Sequence, residues 1–139
     1  MNKYTVVIAD DNTEYCRLLK EYTDLTDDIE VVGIANDGVA AVEMVDKLRP
    51  DMLLLDNDMP KLCGIGVLKS INNLEYRPKI MAVTNETSED FASEACELGV
   101  SFELHKTVSI ELILKRVRML MSIKYTSCPK KHWGSFFTK

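Results

Sequence analysis

The 139-residue sequence predicts an α/β fold of five strand–helix units wound about one parallel sheet. Three observations predict it. Five short apolar runs begin 25, 22, 28 and 22 residues apart, the spacing of strands that alternate with helices. The first, third and fourth runs are apolar without alternation, as in strands covered on both faces. The segments between the runs carry apolar residues at helical spacing.

The first strand is predicted over Tyr4–Ala9 and closes on Asp10 and Asp11. The helix after it sets Tyr15, Leu18, Leu19, Tyr22 and Leu25 on one stripe. Asp11 or Asn12 is its N-cap, because a side-chain oxygen there can accept from the free amides of the first turn. The second strand is predicted over Ile29–Ala35. Its helix opens at Asp37-Gly38, carries Val39, Val42, Val45 and Leu48, and stops before Pro50, which cannot continue a helix. The third strand, Asp51–Leu55, runs into Asp56, and Ile65, Leu68, Ile71 and Leu74 mark the following helix. The fourth strand, Lys79–Val83, meets Thr84. Ser88-Glu89-Asp90 then opens a helix with Phe91, Ala95 and Leu98 that ends at Gly99, a residue suited to a left-handed C′ position. The fifth strand, Ser101–Leu104, precedes Lys106, and the last helix starts near Ser109 and carries Ile110, Ile113, Leu114, Val117, Leu120 and Met121. Right-handed crossovers make this a doubly wound sheet. Five units are too few for a closed eight-unit barrel. The predicted strand order is the flavodoxin-like 2-1-3-4-5.

Composition narrows the partners. Hydrophobic residues make up 46% and charged residues 28%, the profile of a globular domain. No apolar run approaches the roughly 18 to 20 residues of a membrane span, and the opening MNKYTVVIADDN is no secretory signal. A cytoplasmic location without membrane contact is therefore expected. Cys16, Cys63, Cys96 and Cys128 form no C-x-x-C pair and are expected to be unpaired thiols, not zinc ligands. Residues 124–139 contain Lys124, Lys130, Lys131 and Lys139 and no acid, so residues 1–123 hold 13 basic and 22 acidic side chains. An acidic body repels a phosphate backbone, so no nucleic-acid partner is expected for it. The chain divides accordingly into a domain over 1–123 and a basic C-terminal tail or linker remnant over 124–139, where His132, Trp133, Phe136 and Phe137 interleave with the lysines.

Ligands of open parallel sheets bind beyond the carboxyl ends of the strands. Asp10 and Asp11 stand beyond the first strand, Asp56 and Asp58 beyond the third in LLLDNDMP, Thr84 at the fourth in AVTNETSED, and Lys106 after the fifth in FELHK. The predicted order makes these ends consecutive neighbours. Two carboxylates about 5 Å apart at an effective dielectric of about 20 repel by roughly 3 kcal/mol. Either one stays protonated or a cation sits among them. Oxygen donors without sulfur or imidazole suit Mg²⁺. A hard dication, an ammonium and a hydroxyl around one carboxylate form a receptor for a phosphoryl group on it, and Asp56 is the predicted acceptor. Singly, each residue has a plainer explanation. Asp10 and Asp11 suit a helix N-terminus, Asp58 suits the turn before Pro60, Thr84 and His105 suit a strand end, and Lys106 suits a solvated surface. Their convergence carries the prediction.

These motifs resemble the receiver domain of bacterial two-component response regulators: IADDN, LLLDNDMP followed by Gly64, Thr84 and Lys106, over about residues 3–122. Within that family, VIADDNTEYCRLLKEY and VVGIANDG are most similar to the receiver of a sporulation regulator. The resemblance implies that Asp56 accepts phosphate from a histidine kinase or a histidine phosphotransfer protein. It implies that Asp11 and Asp56 bind Mg²⁺ directly with the backbone carbonyl of Asp58, while Asp10 helps through water. Lys106 would pair with the phosphoryl group and Thr84 would hydrogen-bond it. The implied protein is a switch and not an enzyme, with helix 4, strand 5 and helix 5 offered to an output partner or to a second copy. Four positions depart from the family pattern. Cys63 replaces the acid before the third-loop glycine, Asn85 a small residue, Thr107 the proline that brings a cis peptide, and Glu103 the aromatic switch residue. Phe102 lies one residue too early and by strand period faces the other side. Three rivals follow: a D-x-D phosphatase using Asp56 and Asp58, a flavin electron carrier, and a degenerate receiver that signals without phosphate.

Overall fold

The computed structural model describes residues 3–85 and 88–122. Along the chain run β1 (Tyr4–Ala9), α1 (Thr13–Asp24), β2 (Ile29–Ala35), α2 (Gly38–Leu48), β3 (Met52–Leu55), α3 (Gly64–Ile71), β4 (Lys79–Thr84), α4 (Glu89–Glu97), β5 (Phe102–His105) and α5 (Ile110–Met121). The strands form one five-stranded sheet in the order β2-β1-β3-β4-β5, every pairing parallel. This is the flavodoxin-like (βα)5 fold expected from the spacing of the runs.

Side chains of a strand alternate between faces, and both faces here are dry. Val7, Ala9, Leu53, Leu55, Ile80 and Ala82 form one core with buried residues of α2, α3 and α4. Val6, Ile8, Met52, Leu54, Met81 and Val83 form a second core with α1 and α5. Unbroken apolarity in β1, β3 and β4 is thus the mark of two cores meeting at one sheet. Each fully buried aliphatic side chain contributes roughly 1.5–3 kcal/mol, so the central strands contribute strongly to the stability of the fold.

Helix starts follow their caps. Asn12, not Asp11, caps α1, its side chain accepting from the Tyr15 amide at 3.0 Å. Asp37 caps α2 and Ser88 and Ser109 cap α4 and α5 in the same way. Gly99 ends α4 at φ 104°, as its place after Leu98 predicts. The stripe expected on α2 is rotated. Gly38, Ala41 and Val45 are buried, whereas Val39 is 45% exposed. Small residues face inward because the helix start presses on the loop before α3, where a Cβ on Gly38 would meet the Leu62 oxygen at 1.9 Å. β3 begins one residue later than expected, because the Asp51 carboxylate turns back to accept from the Thr5 amide at 2.8 Å.

Cys16 and Cys63 are free thiols, as expected, but Cys96 is disulfide-bonded. Spacing along the chain could not reveal that, because the bond depends on folding. Cys128 and the basic segment 124–139 lie outside the described residues. Among the described residues no helix is long and apolar enough to cross a membrane.

α5 is fastened at its outer side by Arg118, whose Nε and Nη2 donate to the two Asp28 oxygens at 2.6 and 3.1 Å. The hydrogen bond from Arg118 holds the Asp28 carboxyl below its ordinary value of 3.8, against the burial that opposes it. A depressed carboxyl stabilises the fold above its unfolded pKa and ceases to as pH falls through its folded one. The pair is half exposed, so Asp28→Asn should cost only about 0.2–1 kcal/mol at pH 7. In urea unfolding the gap between variant and parent should close as pH falls below the ordinary carboxyl value of 3.8; a constant gap at all pH would remove the ion pair as the cause.

Candidate functional site

Three backbone hydrogen bonds carry the sheet ladder one residue past the strand ends. The Asp10 amide donates to Ala35 O at 2.9 Å, the Asp56 amide to Ala9 O at 2.9 Å and the Lys106 amide to Thr84 O at 3.1 Å. The residues that bear the chemistry therefore hang from the rigid sheet, not from loose loops. Their side chains meet above it. Lys106 Nζ lies 2.8 Å from Asp10 Oδ2 and 3.1 Å from Asp56 Oδ2. Asp10, Asp11 and Asp56 each bring a carboxylate oxygen within 4.8 Å of the others.

Three acids around one ammonium leave an excess of negative charge. Asp10 and Asp56 are almost wholly buried and Lys106 is largely so, which weakens screening by salt. Burial pushes the Asp10 carboxyl above its ordinary value, with the Asp56 charge adding to the rise; hydrogen bonds from Lys106 and the Asn12 amide oppose it without cancelling it. Burial lowers the Lys106 pKa, but its hydrogen bonds and charge pairing with Asp10 and Asp56 outweigh that and hold it above that of an ordinary lysine. Beside them Cys16 is buried, its thiol pushed up to about 11 mainly by burial and next by the Asp10 charge.

The donor set fits a hard dication. It is all oxygen, and Mg²⁺ with bonds of about 2.0–2.1 Å sets opposite ligands about 4.2 Å apart, close to the spread of these carboxylates. Asp11 is exposed, so the open side of the trio faces solvent, where Mg²⁺ keeps its waters. Asp10, Asp11 and Asp56 could hold the ion there.

A cleft of about 590 Å³ lies over Asp11 and Asp56, lined also by Asp58, Thr84, Asn85 and Lys106 among others. Thr84 is buried at its wall, 1% exposed. Asp58 is exposed and stands outside the carboxylate trio. Thus Asp10, Asp11, Asp56 and Lys106 come into direct proximity, while Asp58 and Thr84 share the same cleft. His105 bonds locally, its Nδ1 2.8 Å from Thr107 Oγ1, as a strand-end residue does. No cis peptide occurs among the described residues, the Lys106–Thr107 bond included.

The fifth strand differs from the family pattern in the way its period predicts. Phe102 packs in the core shared with α1 and α5. Glu103 points to the opposite face, paired across from Ala82, and is 1% exposed. A buried glutamate therefore stands where the family pattern has an aromatic residue.

Three residues of the site were not singled out from the sequence. Asn57 folds the loop after β3: its Oδ1 accepts from the Ile65 amide at 3.0 Å and its backbone oxygen from Gly64 at 2.9 Å. Asn12 links Asp10 to α1, its amide donating to Asp10 Oδ1 at 2.9 Å. Tyr15 puts its ring 5.1 Å from Lys106 Nζ. Only Asn12 carried a readable signal, as a cap; the other two act through contacts that depend on the loops closing.

The model of the response regulator receiver domain matches residues 6–118. The chain belongs to that family. Solved structures agree with the match. The response regulator domain of CheB from Thermotoga maritima is 29% identical, with a TM-score of 0.81 over 89% of this chain and 100% of that one. The receiver domain of AraT from Geobacillus stearothermophilus is 27% identical, with a TM-score of 0.75 over 86% and 93%. The receiver of NarL from Mycobacterium tuberculosis is 26% identical, with a TM-score of 0.82 over 88% and 98%. As a receiver, the chain is a signalling module and not a classical enzyme.

Gly64 tests how tightly the site loop is built. A Cβ there would lie 2.7 Å from Asn57 Cα and 2.9 Å from Asp56 O, both backbone atoms that cannot yield cheaply. Gly64→Ala should lose about 1–3 kcal/mol of stability in chemical denaturation. A loss below about 0.5 kcal/mol would show that the loop after β3 is free to shift and does not hold Asp56 in place.

Proposed function

We propose that the chain receives a phosphoryl group on Asp56 from a histidine kinase or a histidine phosphotransfer protein, with Mg²⁺, and switches partner binding as a result. The observation that carries this proposal is the Lys106 ammonium bridging Asp10 and Asp56 beside the exposed Asp11. An Asp56 oxygen attacks phosphorus as the bond from phosphorus to the donor's nitrogen or acyl oxygen breaks. The charge then rests on the phosphoryl oxygens, where Lys106 offers an ammonium and Thr84 a hydroxyl. Bound Mg²⁺ would supply the further positive charge, held by Asp11 and Asp56 with the Asp58 carbonyl and, through water, Asp10. β3, buried on both faces, keeps Asp56 from recoiling.

Membership in the receiver family, and the place of Asp58 outside the carboxylate trio among the described residues, favour this over a D-x-D phosphatase. The acidic first loop disfavours a flavin phosphate. A degenerate receiver that acts without phosphate is favoured by the four departures from the family pattern, Cys63, Asn85, Thr107 and, most marked, the buried Glu103. We take it instead to alter how the signal leaves the site. The face of α4, β5 and α5 is the proposed output surface, for a partner or a second copy. The stretches VIADDNTEYCRLLKEY and VVGIANDG support a kinship with the receiver of the sporulation regulator Spo0A. A cytoplasmic location, a receiver domain over 1–123 and a tail or linker over 124–139 complete the proposal.

Intact mass after acetyl phosphate and Mg²⁺ should show a single added phosphoryl group, absent from Asp56→Asn. No addition to the parent chain would favour the degenerate module. Mg²⁺ at about 100 times its Kd should also raise stability by about 2.7 kcal/mol, a gain that Asp11→Ala removes; an equal gain in that variant would place the ion elsewhere.

A further inference from the structure

Among the described residues, Lys106 Nζ has three close partners: Asp10, Asp56 and the ring of Tyr15. Two of the three must change during phosphoryl transfer. Asp56 becomes an acyl phosphate and loses its carboxylate charge, and Asp10 turns towards a dication. The ring is the partner that neither reaction alters. Its centroid lies 5.1 Å from the ammonium, inside the roughly 6 Å reach of a cation–π contact.

The ring is fixed from the same strand end as the acid. Asp10 Oδ1 accepts from the Asn12 amide at 2.9 Å, and Asn12 Oδ1 accepts from the Tyr15 amide at 3.0 Å. Tyr15 packs against the core shared by α1 and α5 and lines a narrow void with Asp10, Asp56 and Val83. Its hydroxyl oxygen is buried, without a hydrogen-bond partner among the described residues. Burial first, with the nearby acids adding to it against Lys106, pushes the hydroxyl pKa up to about 12, so the ring stays neutral. A neutral ring accepts a cation without competing for Mg²⁺.

We infer that Tyr15 is a positioning residue for phosphoryl transfer, its ring face holding the Lys106 ammonium at the floor of the cleft while Asp10 and Asp56 exchange partners. The inference rests on Asp56 being the phosphoacceptor. It assigns the effect to the ring and none to the hydroxyl.

The full chain is compared with Tyr15→Leu and Tyr15→Phe. By NMR, the Lys106 ε-methylene protons should be shifted upfield by the ring in the parent and in Tyr15→Phe, and should return to ordinary lysine values in Tyr15→Leu. With acetyl phosphate at saturating Mg²⁺, Tyr15→Leu should lower the maximal rate of Asp56 phosphorylation about three- to tenfold with little change in half-saturation. Tyr15→Phe should restore it to within about twofold. Should Tyr15→Leu fail to fold, phenylalanines with increasing fluorine substitution at position 15 keep the shape and drain the ring face, and the rate should fall stepwise with fluorine count. A flat series, a Tyr15→Phe rate as low as that of Tyr15→Leu, or an unshifted Lys106 methylene would overturn the assignment. If the parent chain is not phosphorylated although its Lys106 methylene is shifted, the contact stands and the phosphoacceptor role of Asp56 is what fails, taking the positioning role with it.

Discussion

One ammonium group shared between two buried carboxylates is the constraint around which this molecule is arranged. Lys106 follows β5, Asp10 follows β1 and Asp56 follows β3, so the three meet only if the sheet has its observed order and all strands run the same way. Slipping any central strand by one residue would turn its apolar set over and send the acid to the wrong height. The differently shaped side chains packed on both faces of β1, β3 and β4 oppose that slip. The extended ladder bonds at Asp10, Asp56 and Lys106 then pass the stiffness of the sheet to the side chains.

The site is held close to an electrostatic conflict. Burial disfavours charge on Asp10 and on Lys106 alike, and each is made tolerable by the other. Asp11, left outside in solvent, adds a further negative charge. Such a cluster responds to any cation or anion that rebalances it, which is the property a phosphoryl switch requires. The chain departs from the family pattern at Glu103, a glutamate buried where receivers carry an aromatic ring.

The fold was legible because its causes are local and repeated. Continuous apolar runs, four side-chain caps and the Gly99 stop each act within a few residues, and the spacing of the runs fixed the architecture. The acids, Thr84 and Lys106 were legible as strand-end residues once that architecture was assumed. The α2 stripe was misjudged because hydrophobicity ranks valine above alanine, whereas the close approach of α2 to the loop before α3 admits only small side chains. Asn57, Tyr15 and the disulfide at Cys96 were not legible, because each depends on segments that meet only after folding. Phe102 and Glu103 were read correctly from strand period alone, since a period of two leaves no freedom in which side each one faces.

The coupling between metal and phosphoryl group tests the central claim most directly. Beryllofluoride stands in for the phosphoryl group on a carboxylate, and Mg²⁺ binding can be titrated by calorimetry with and without it. If Asp10, Asp11, Asp56 and Lys106 form one receptor, each ligand should tighten the other by the same factor, about tenfold or more, and the coupling should vanish in Asp56→Ala. Mg²⁺ affinity that does not change when beryllofluoride is added, or coupling that survives Asp56→Ala, would contradict it.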